Sequence, residues 1–92
     1  MGYTVVAEKP AGPYRLDCWL SEVWAAIEYD GPAHWRRQDA KRDAWLWDTY
    51  RIMVLRVTDL ETLAQAIAPF FDEALLTVSE RKVYAIEHGW HG

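Results

Sequence analysis

Apolar and polar residues alternate along the N-terminal part of the chain in a pattern that is typical of β-strands. Runs of β-branched and aromatic residues are separated there by proline, glycine and other turn residues. The pattern predicts three successive strands, at residues 3–8, 14–20 and 23–29. Because the third run is almost continuously apolar, we expect it to lie inside the sheet rather than at an edge.

The spacing of apolar residues becomes helical after Pro32. A helix is predicted at residues 35–48, with an apolar side formed by Ala40, Ala44 and Trp47. A neighbouring stripe of the same helix is charged and contains Asp39, Arg42 and Asp43. We interpret Trp45 and Trp47 as core or dimer contacts in preference to residues that stack on bases.

A strand, a capped helix and a last strand are predicted in the second half of the chain. Residues 50–57 are apolar and β-branched, and Thr58 and Glu61 match a helix capping box with the threonine at the cap. Pro69 is expected to kink or split that helix, and residues 82–87 predict a short strand before a loose tail. The order β-β-β-α-β-α-β describes an α/β fold with a mixed sheet flanked by helices.

The composition indicates one folded domain over residues 1–92. Hydrophobic content of 51% and aromatic content of 14% exclude a disordered chain. The single cysteine, Cys18, cannot form an intramolecular disulfide and is expected to be a small core residue. No apolar run is long enough to span a bilayer, and the N-terminus lacks the pattern of a signal peptide. These features predict a cytoplasmic protein with no membrane partner.

Charge is distributed unevenly along the chain. A formal net charge of −4 counts against a general nucleic-acid binder, since phosphate binding is mainly electrostatic. Basic residues nevertheless cluster in and beside the predicted helix, at Arg36, Arg37, Lys41 and Arg42. They form either a DNA-contacting patch or a partly solvated helix face, and the pattern alone favours the helix face.

Carboxylates lie within the predicted second strand and at the end of the third. Asp17 lies in the second strand, Glu28 and Asp30 end the third, and His34 follows shortly afterwards. Mg²⁺ and Mn²⁺ prefer oxygen ligands and often bind through one or two carboxylates together with water and a substrate phosphate. If the hairpin register brings Asp17 and Glu28 together, they form a metal site for phosphodiester hydrolysis. In such a site His34 and Arg42 can steady a phosphate or leaving group.

Each of these residues also has a structural interpretation. Asp30 precedes a glycine and is typical of a turn, although turn and ligand roles can coexist. Glu28 is a lone charge in an apolar strand and can be the ion-pair partner of Arg42. His34 is equally compatible with a solvated residue at the start of a helix. The metal interpretation depends on the pairing of Asp17 with Glu28.

Four separate motifs resemble those of the PD-(D/E)XK nuclease superfamily, and in particular its branch of very-short-patch-repair endonucleases. The motifs are GPYRLD at residues 12–17, AIEYDGPAH at 26–34, DAKRD at 39–43 and MVLRV at 53–57. The resemblance implies a restriction-endonuclease-like fold, in a minimal version that lacks the usual N-terminal helix. It also implies that Asp17 and Glu28 bind the metal, with the backbone carbonyl of Tyr29 as a further ligand.

The resemblance further implies a Mg²⁺- or Mn²⁺-dependent endonuclease that hydrolyses DNA, with a role in DNA repair. The catalytic residues would be Asp17, Glu28, Asp30 and His34. Asp30 stands where the superfamily usually has a lysine, as it does in many relatives of this branch. DNA and a second copy of the chain, forming a homodimer, are the expected partners. The alternative is a catalytically inactive, oligomeric binding or assembly module with the same fold, which the acidic net charge and the surplus of tryptophans favour.

Overall fold

The computed structural model describes residues 3–30 and 36–92, and within the second range it describes side chains from residue 38 onward. These residues form four strands and two helices, namely β1 (Val6–Ala11), β2 (Tyr14–Leu20), β3 (Ala25–Tyr29), α1 (Arg36–Tyr50), β4 (Met53–Val57) and α2 (Leu60–Glu87). The fold is therefore a small α/β fold with a mixed sheet, as the sequence predicts. Neither helix combines the length and the apolar content that a membrane crossing requires.

The four strands lie in the sheet in their order along the chain. Strands β1, β2 and β3 are antiparallel neighbours, whereas β4 runs parallel to β3 and is reached through α1. The interior position expected for β3 is confirmed. Since β3 is bonded on both sides, the acids near its end are held between two neighbouring strands.

An aromatic core fixes the sheet against the helices and the C-terminal residues. Trp19 and Trp24 are each 1% exposed, and their rings meet edge to face at 5.0 Å. Trp90 contacts Trp19 at 5.0 Å and stacks on Tyr50 at 4.8 Å. The expectation of a loose tail is therefore wrong, because an aromatic side chain at residue 90 has a large apolar surface to bury.

The C-terminal part is helical where the sequence predicts a strand, so the interpretation of residues 82–87 is wrong. Helix α2 continues through Pro69 to its end without a break, and its buried face carries Ala74, Arg81 and Ala85 at helical spacing. A short run of apolar residues does not distinguish a strand from the end of a long helix. The predicted order consequently loses its last strand.

The starts of four elements also differ from the sequence prediction, and one of them is β3, which begins at Ala25 instead of residue 23. Asp59 rather than Thr58 caps α2, and its carboxylate accepts the Thr62 N–H at 2.7 Å. Strand β1 runs from Val6 to Ala11, which includes a proline that an edge strand tolerates. Tyr50 ends α1 instead of opening β4, because the helix continues two residues beyond its predicted end.

Helix α1 turns a charged side toward the sheet, which corrects its predicted apolar side. Ala40, Ala44 and Trp47 are exposed, whereas Asp39 is only 8% exposed and Leu46 is fully buried. The helix is oriented by ion pairs with the sheet, and such long-range pairs are invisible to a local apolar pattern. Its most regular apolar stripe is consequently left at the surface.

Gly12 is a position where we expect any side chain to lower the stability of the fold. It lies in the turn between β1 and β2 with φ of +60°, and a Cβ there would overlap the Trp45 ring. We expect Gly12→Ala to lower the free energy of unfolding by about 2–4 kcal/mol, from left-handed strain and overpacking together. Urea denaturation measures this loss.

Gly89 provides a matched control for that substitution. Its φ is +89°, but a Cβ there would meet nothing within 4 Å. We therefore expect Gly89→Ala to lower the free energy of unfolding by only about 1 kcal/mol, from backbone strain alone. Equal losses in the two variants would show that the contact with Trp45 is not tight.

Candidate active site

Two bonds between side chain and backbone cross the β2–β3 hairpin at Asp17, and one of them joins it to Glu28. Glu28 Oε2 accepts the backbone N–H of Asp17 at 2.6 Å, and Asp17 Oδ2 accepts the backbone N–H of Tyr29 at 3.1 Å. These bonds lie just beyond the regular pairing of Cys18 with Ile27. The structure thus brings together the two acids on which the predicted metal site depends.

The two carboxylates differ in their environments. Asp17 is exposed, whereas Glu28 is 1% exposed. Burial raises the pKa of the Glu28 carboxyl, although the Asp17 N–H and the charge of Arg42 partly oppose this effect. A buried acid of this kind is stabilised in its charged form by any further positive charge beside it.

Arg42 holds α1 onto the hairpin through this acid. Its Nη2 donates to Glu28 Oε1, and the same nitrogen donates to the carbonyl of Arg15 at 2.7 Å. The guanidinium also lies 5.6 Å from the centroid of the Tyr14 ring. The ion pair between Glu28 and Arg42, which is the structural interpretation of Glu28 given above, is therefore present. It coexists with the contact between Glu28 and Asp17.

Arg56 is a second organising cation, which is not among the site residues predicted from the sequence. Its Nε and Nη2 donate to both carboxylate oxygens of Asp43, at 2.9 and 2.6 Å. Its Nη1 donates to Asp30 at 3.0 Å and lies 3.6 Å from Asp39. The available signal was a single charged residue within the apolar run of β4.

Burial and ion pairing act in opposite directions on the pKa of Arg56. Burial lowers this pKa, but hydrogen bonds and charge from Asp43 and Asp30 more than offset it, so the net shift is upward. The guanidinium therefore stays charged at any pH at which the protein is folded. It forms a fixed tie between β4, α1 and the residue that follows β3.

Five acids lie around these two arginines. The acidic cluster consists of Asp17, Glu28, Asp30, Asp39 and Asp43. Arg42 pairs with Glu28, and Arg56 pairs with Asp30, Asp39 and Asp43. Carboxylates next to a partly open surface attract cations.

Cys18 is next to this cluster but is unsuited to nucleophilic chemistry. Burial raises the pKa of its thiol, and the negative charges of Asp17 and Glu28 raise it further. The side chain is partly buried, whereas the sequence predicts a small core residue at this position.

The remaining predicted site residues fall into two groups. His34 lies outside the described residues, as do the side chains of Arg36 and Arg37 in the first turn of α1. Lys41 is exposed and, with Arg42, lines a surface pocket of about 460 Å³. This pocket places two of the four predicted DNA-contacting residues side by side.

The donor chemistry of the site fits a hard divalent cation. Asp17 and Glu28 offer carboxylate oxygens, and each oxygen can accept more than the one bond it makes here. Within residues 3–30 and 36–92, no three His, Cys, Asp or Glu side chains are arranged to hold a metal ion. An ion held by Asp17 and Glu28 would need water and a substrate phosphate as its other ligands, a mode in which Mg²⁺ often binds.

Replacing Arg56 tests the organising role of this cation. Arg56→Gln leaves Asp30, Asp39 and Asp43 close together without their shared guanidinium. We expect a loss of about 2 kcal/mol of unfolding free energy, below the cost of breaking a fully buried pair because Arg56 is partly exposed. Urea denaturation at neutral pH measures the loss.

Arg15→Gln is the matched control for Arg56→Gln. Arg15 pairs with Glu8 at 3.4 Å, but both side chains are more than half exposed, so the expected change is at most about 0.5 kcal/mol. A similar small change in both variants would mean that Arg56 does not organise the acidic cluster.

Comparison of the chain with models of protein families, with curated proteins and with solved structures finds no match in any of the three. The chemistry proposed for this chain therefore depends on its own residues.

Proposed function

We propose that this protein is a metal-dependent endonuclease that hydrolyses DNA phosphodiester bonds. The observation that carries the proposal is the pairing of Asp17 with Glu28 across the β2–β3 hairpin. We further propose that the small α/β fold is a minimal restriction-endonuclease-like domain of the very-short-patch-repair branch. A cytoplasmic protein that acts in DNA repair is consistent with this proposal.

The proposed roles combine what the resemblance implies with the positions of the residues. Asp17, Glu28 and the carbonyl of Tyr29 would hold Mg²⁺ or Mn²⁺, which when bound supplies an activated water and charge neutralisation at the phosphate. Arg42 orients Glu28 through its ion pair. Asp30 is held by Arg56, so its proposed catalytic contribution acts from a fixed position.

DNA would approach the site along the basic residues of α1. Lys41 is exposed and Arg42 lies beside it, so that a phosphate next to the acids would meet positive charge. Arg36, Arg37 and His34 complete the proposed contact set. A local basic surface of this kind operates beside the acidic cluster even though the whole chain is negative.

Cleavage of plasmid DNA tests this proposal directly. The purified protein is incubated with supercoiled plasmid and with duplex, mismatched and single-stranded oligonucleotides, in Mg²⁺, Mn²⁺, Ca²⁺ or EDTA. We expect products with Mg²⁺ or Mn²⁺ and none with EDTA. Absence of cleavage on every substrate, together with no Mn²⁺ binding by calorimetry, would overturn it.

A second candidate function is an inactive nuclease-fold module that binds or assembles without turnover. The observation that favours it is that Glu28, Asp30 and Asp43 already form ion pairs with arginines. This module is expected to be oligomeric, so sedimentation would show a stable dimer or larger species. Metal-activated cleavage by a monomer would exclude this candidate.

A further inference from the structure

The last half of α2 carries an apolar stripe that no described part of the chain covers. Leu76 is 82% exposed and Val83, one heptad later, is 54% exposed. Leu75 and Ile86 extend the stripe along one side and are 46% and 38% exposed. The side chains of this helix that pack inward, including Ala74 and Ala85, lie on the opposite face. Ser79 lies within this stripe, and the four large apolar side chains around it form an exposed patch of the kind that can mark an interaction site.

An acidic row borders this stripe at heptad spacing. Glu73, Glu80 and Glu87 are seven residues apart, and all three are exposed. On the other border the described basic residue is Lys82. In paired helices, the charges that flank the apolar stripe select the partner and its orientation. A row of three carboxylates therefore selects positive charge in whatever helix lies on the stripe.

The same row disfavours a second copy of the chain in an antiparallel arrangement. Flanking positions of one kind face each other in an antiparallel helix pair, so Glu80 of one copy would meet acids of the other. In a parallel pair the glutamate row would face the other flank, where Lys82 answers only one of the three carboxylates. Like charges placed opposite one another weaken an interface. An anionic lipid surface is disfavoured for the same reason, since it would be repelled by the acidic row.

From this arrangement we propose that the outer face of α2, from Glu73 to Glu87, docks a basic amphipathic helix of another protein. Apolar side chains of the partner at spacings of three and four would pack on Leu76 and Val83. Its lysines or arginines would pair with the glutamate row. The surface is separate from the acidic cluster, so the inference stands independently of the proposed nuclease activity.

Two synthetic helical peptides serve as probes. Both have leucine at the a and d heptad positions; one has lysine and the other glutamate at the e and g positions. Fluorescence anisotropy with the full chain measures their affinities at low and high salt. We expect the lysine peptide to bind at least about tenfold more tightly than the glutamate peptide at low salt, with a smaller difference at high salt.

Two variants of the chain make the test specific. The triple variant Glu73→Lys, Glu80→Lys, Glu87→Lys is expected to invert the preference between the peptides. The single variant Leu76→Asp is expected to abolish binding of the lysine peptide. All four substitutions are at exposed positions, and circular dichroism checks that the helices are retained.

Several results would overturn the proposal. One is failure of the lysine peptide to bind the wild-type chain, and another is binding that Leu76→Asp leaves unchanged, which would indicate charge attraction without docking. A concentration-dependent dimer of the wild-type chain that Leu76→Asp dissociates would assign the face to a second copy. Binding to phosphatidylcholine vesicles that Leu76→Asp abolishes would assign it to a membrane.

Discussion

Asp17→Asn is expected to reduce Mn²⁺-dependent DNA cleavage by at least about 100-fold while leaving the fold intact. The amide retains the shape of the carboxylate, and its oxygen still accepts the Tyr29 N–H. What it loses is the negative charge that makes Asp17 a ligand for a hard cation. Initial rates of plasmid nicking at saturating Mn²⁺ measure the loss, and calorimetry measures the accompanying fall in Mn²⁺ affinity.

Asp48→Asn is the control for that substitution. Asp48 is an exposed acid near the end of α1, and it changes the net charge by the same amount without belonging to the acidic cluster. Its cleavage rate is expected to equal that of the wild-type chain. If Asp17→Asn cleaves DNA as fast as Asp48→Asn, the hairpin carboxylates do not hold the ion, and the proposed mechanism is wrong.

The hairpin could be predicted because the residue pattern within each of its strands is enough to define it. Alternation of apolar and polar residues defined β2 to the residue, and the continuity of the third run placed β3 inside the sheet. Once two neighbouring strands are antiparallel, the pairing of Asp17 with Glu28 depends on one register. The acids that carry the proposed function were therefore accessible from the sequence alone.

The orientation of α1 could not be predicted because it is decided by residues far apart in the chain. The regular stripe containing Ala40 and Ala44 satisfies a local helical pattern but lies at the surface. Arg56, on a strand that follows the helix, draws Asp39 and Asp43 inward instead. A partly buried guanidinium with several carboxylate partners outweighs the small apolar area of two alanines.

The C-terminal part was misinterpreted for a related reason. Its helical face contains Arg81 in the position where a core residue is expected, which interrupts the apolar periodicity. Trp90 then packs on Trp19, a contact that spans most of the chain. Neither feature has a local signature, so the sequence suggested a short strand and a loose tail.

Arg81 is expected to give the largest stability change of any single residue discussed here. It is 3% exposed, and burial lowers the pKa of its guanidinium. Its two Nη groups donate to backbone carbonyls, those of Val23, Trp24, Arg51 and Ala74, and its Nε donates to the Thr77 hydroxyl at 3.0 Å. The described partners include no carboxylate, and Arg81 instead ties three separated segments of backbone together.

We expect Arg81→Met to lower the free energy of unfolding by about 3–5 kcal/mol, because it removes the guanidinium donors from the buried carbonyls of Val23 and Trp24. One of them belongs to Trp24, whose φ of +51° already strains the turn that leads into β3. Lys82→Met is the control: its exposed ammonium lies 5.8 Å from the centroid of the Trp24 ring, and its loss should cost at most about 1 kcal/mol. Urea denaturation compares the two variants. Equal losses would mean that water satisfies the carbonyls once Arg81 is removed and that the guanidinium does not hold this turn.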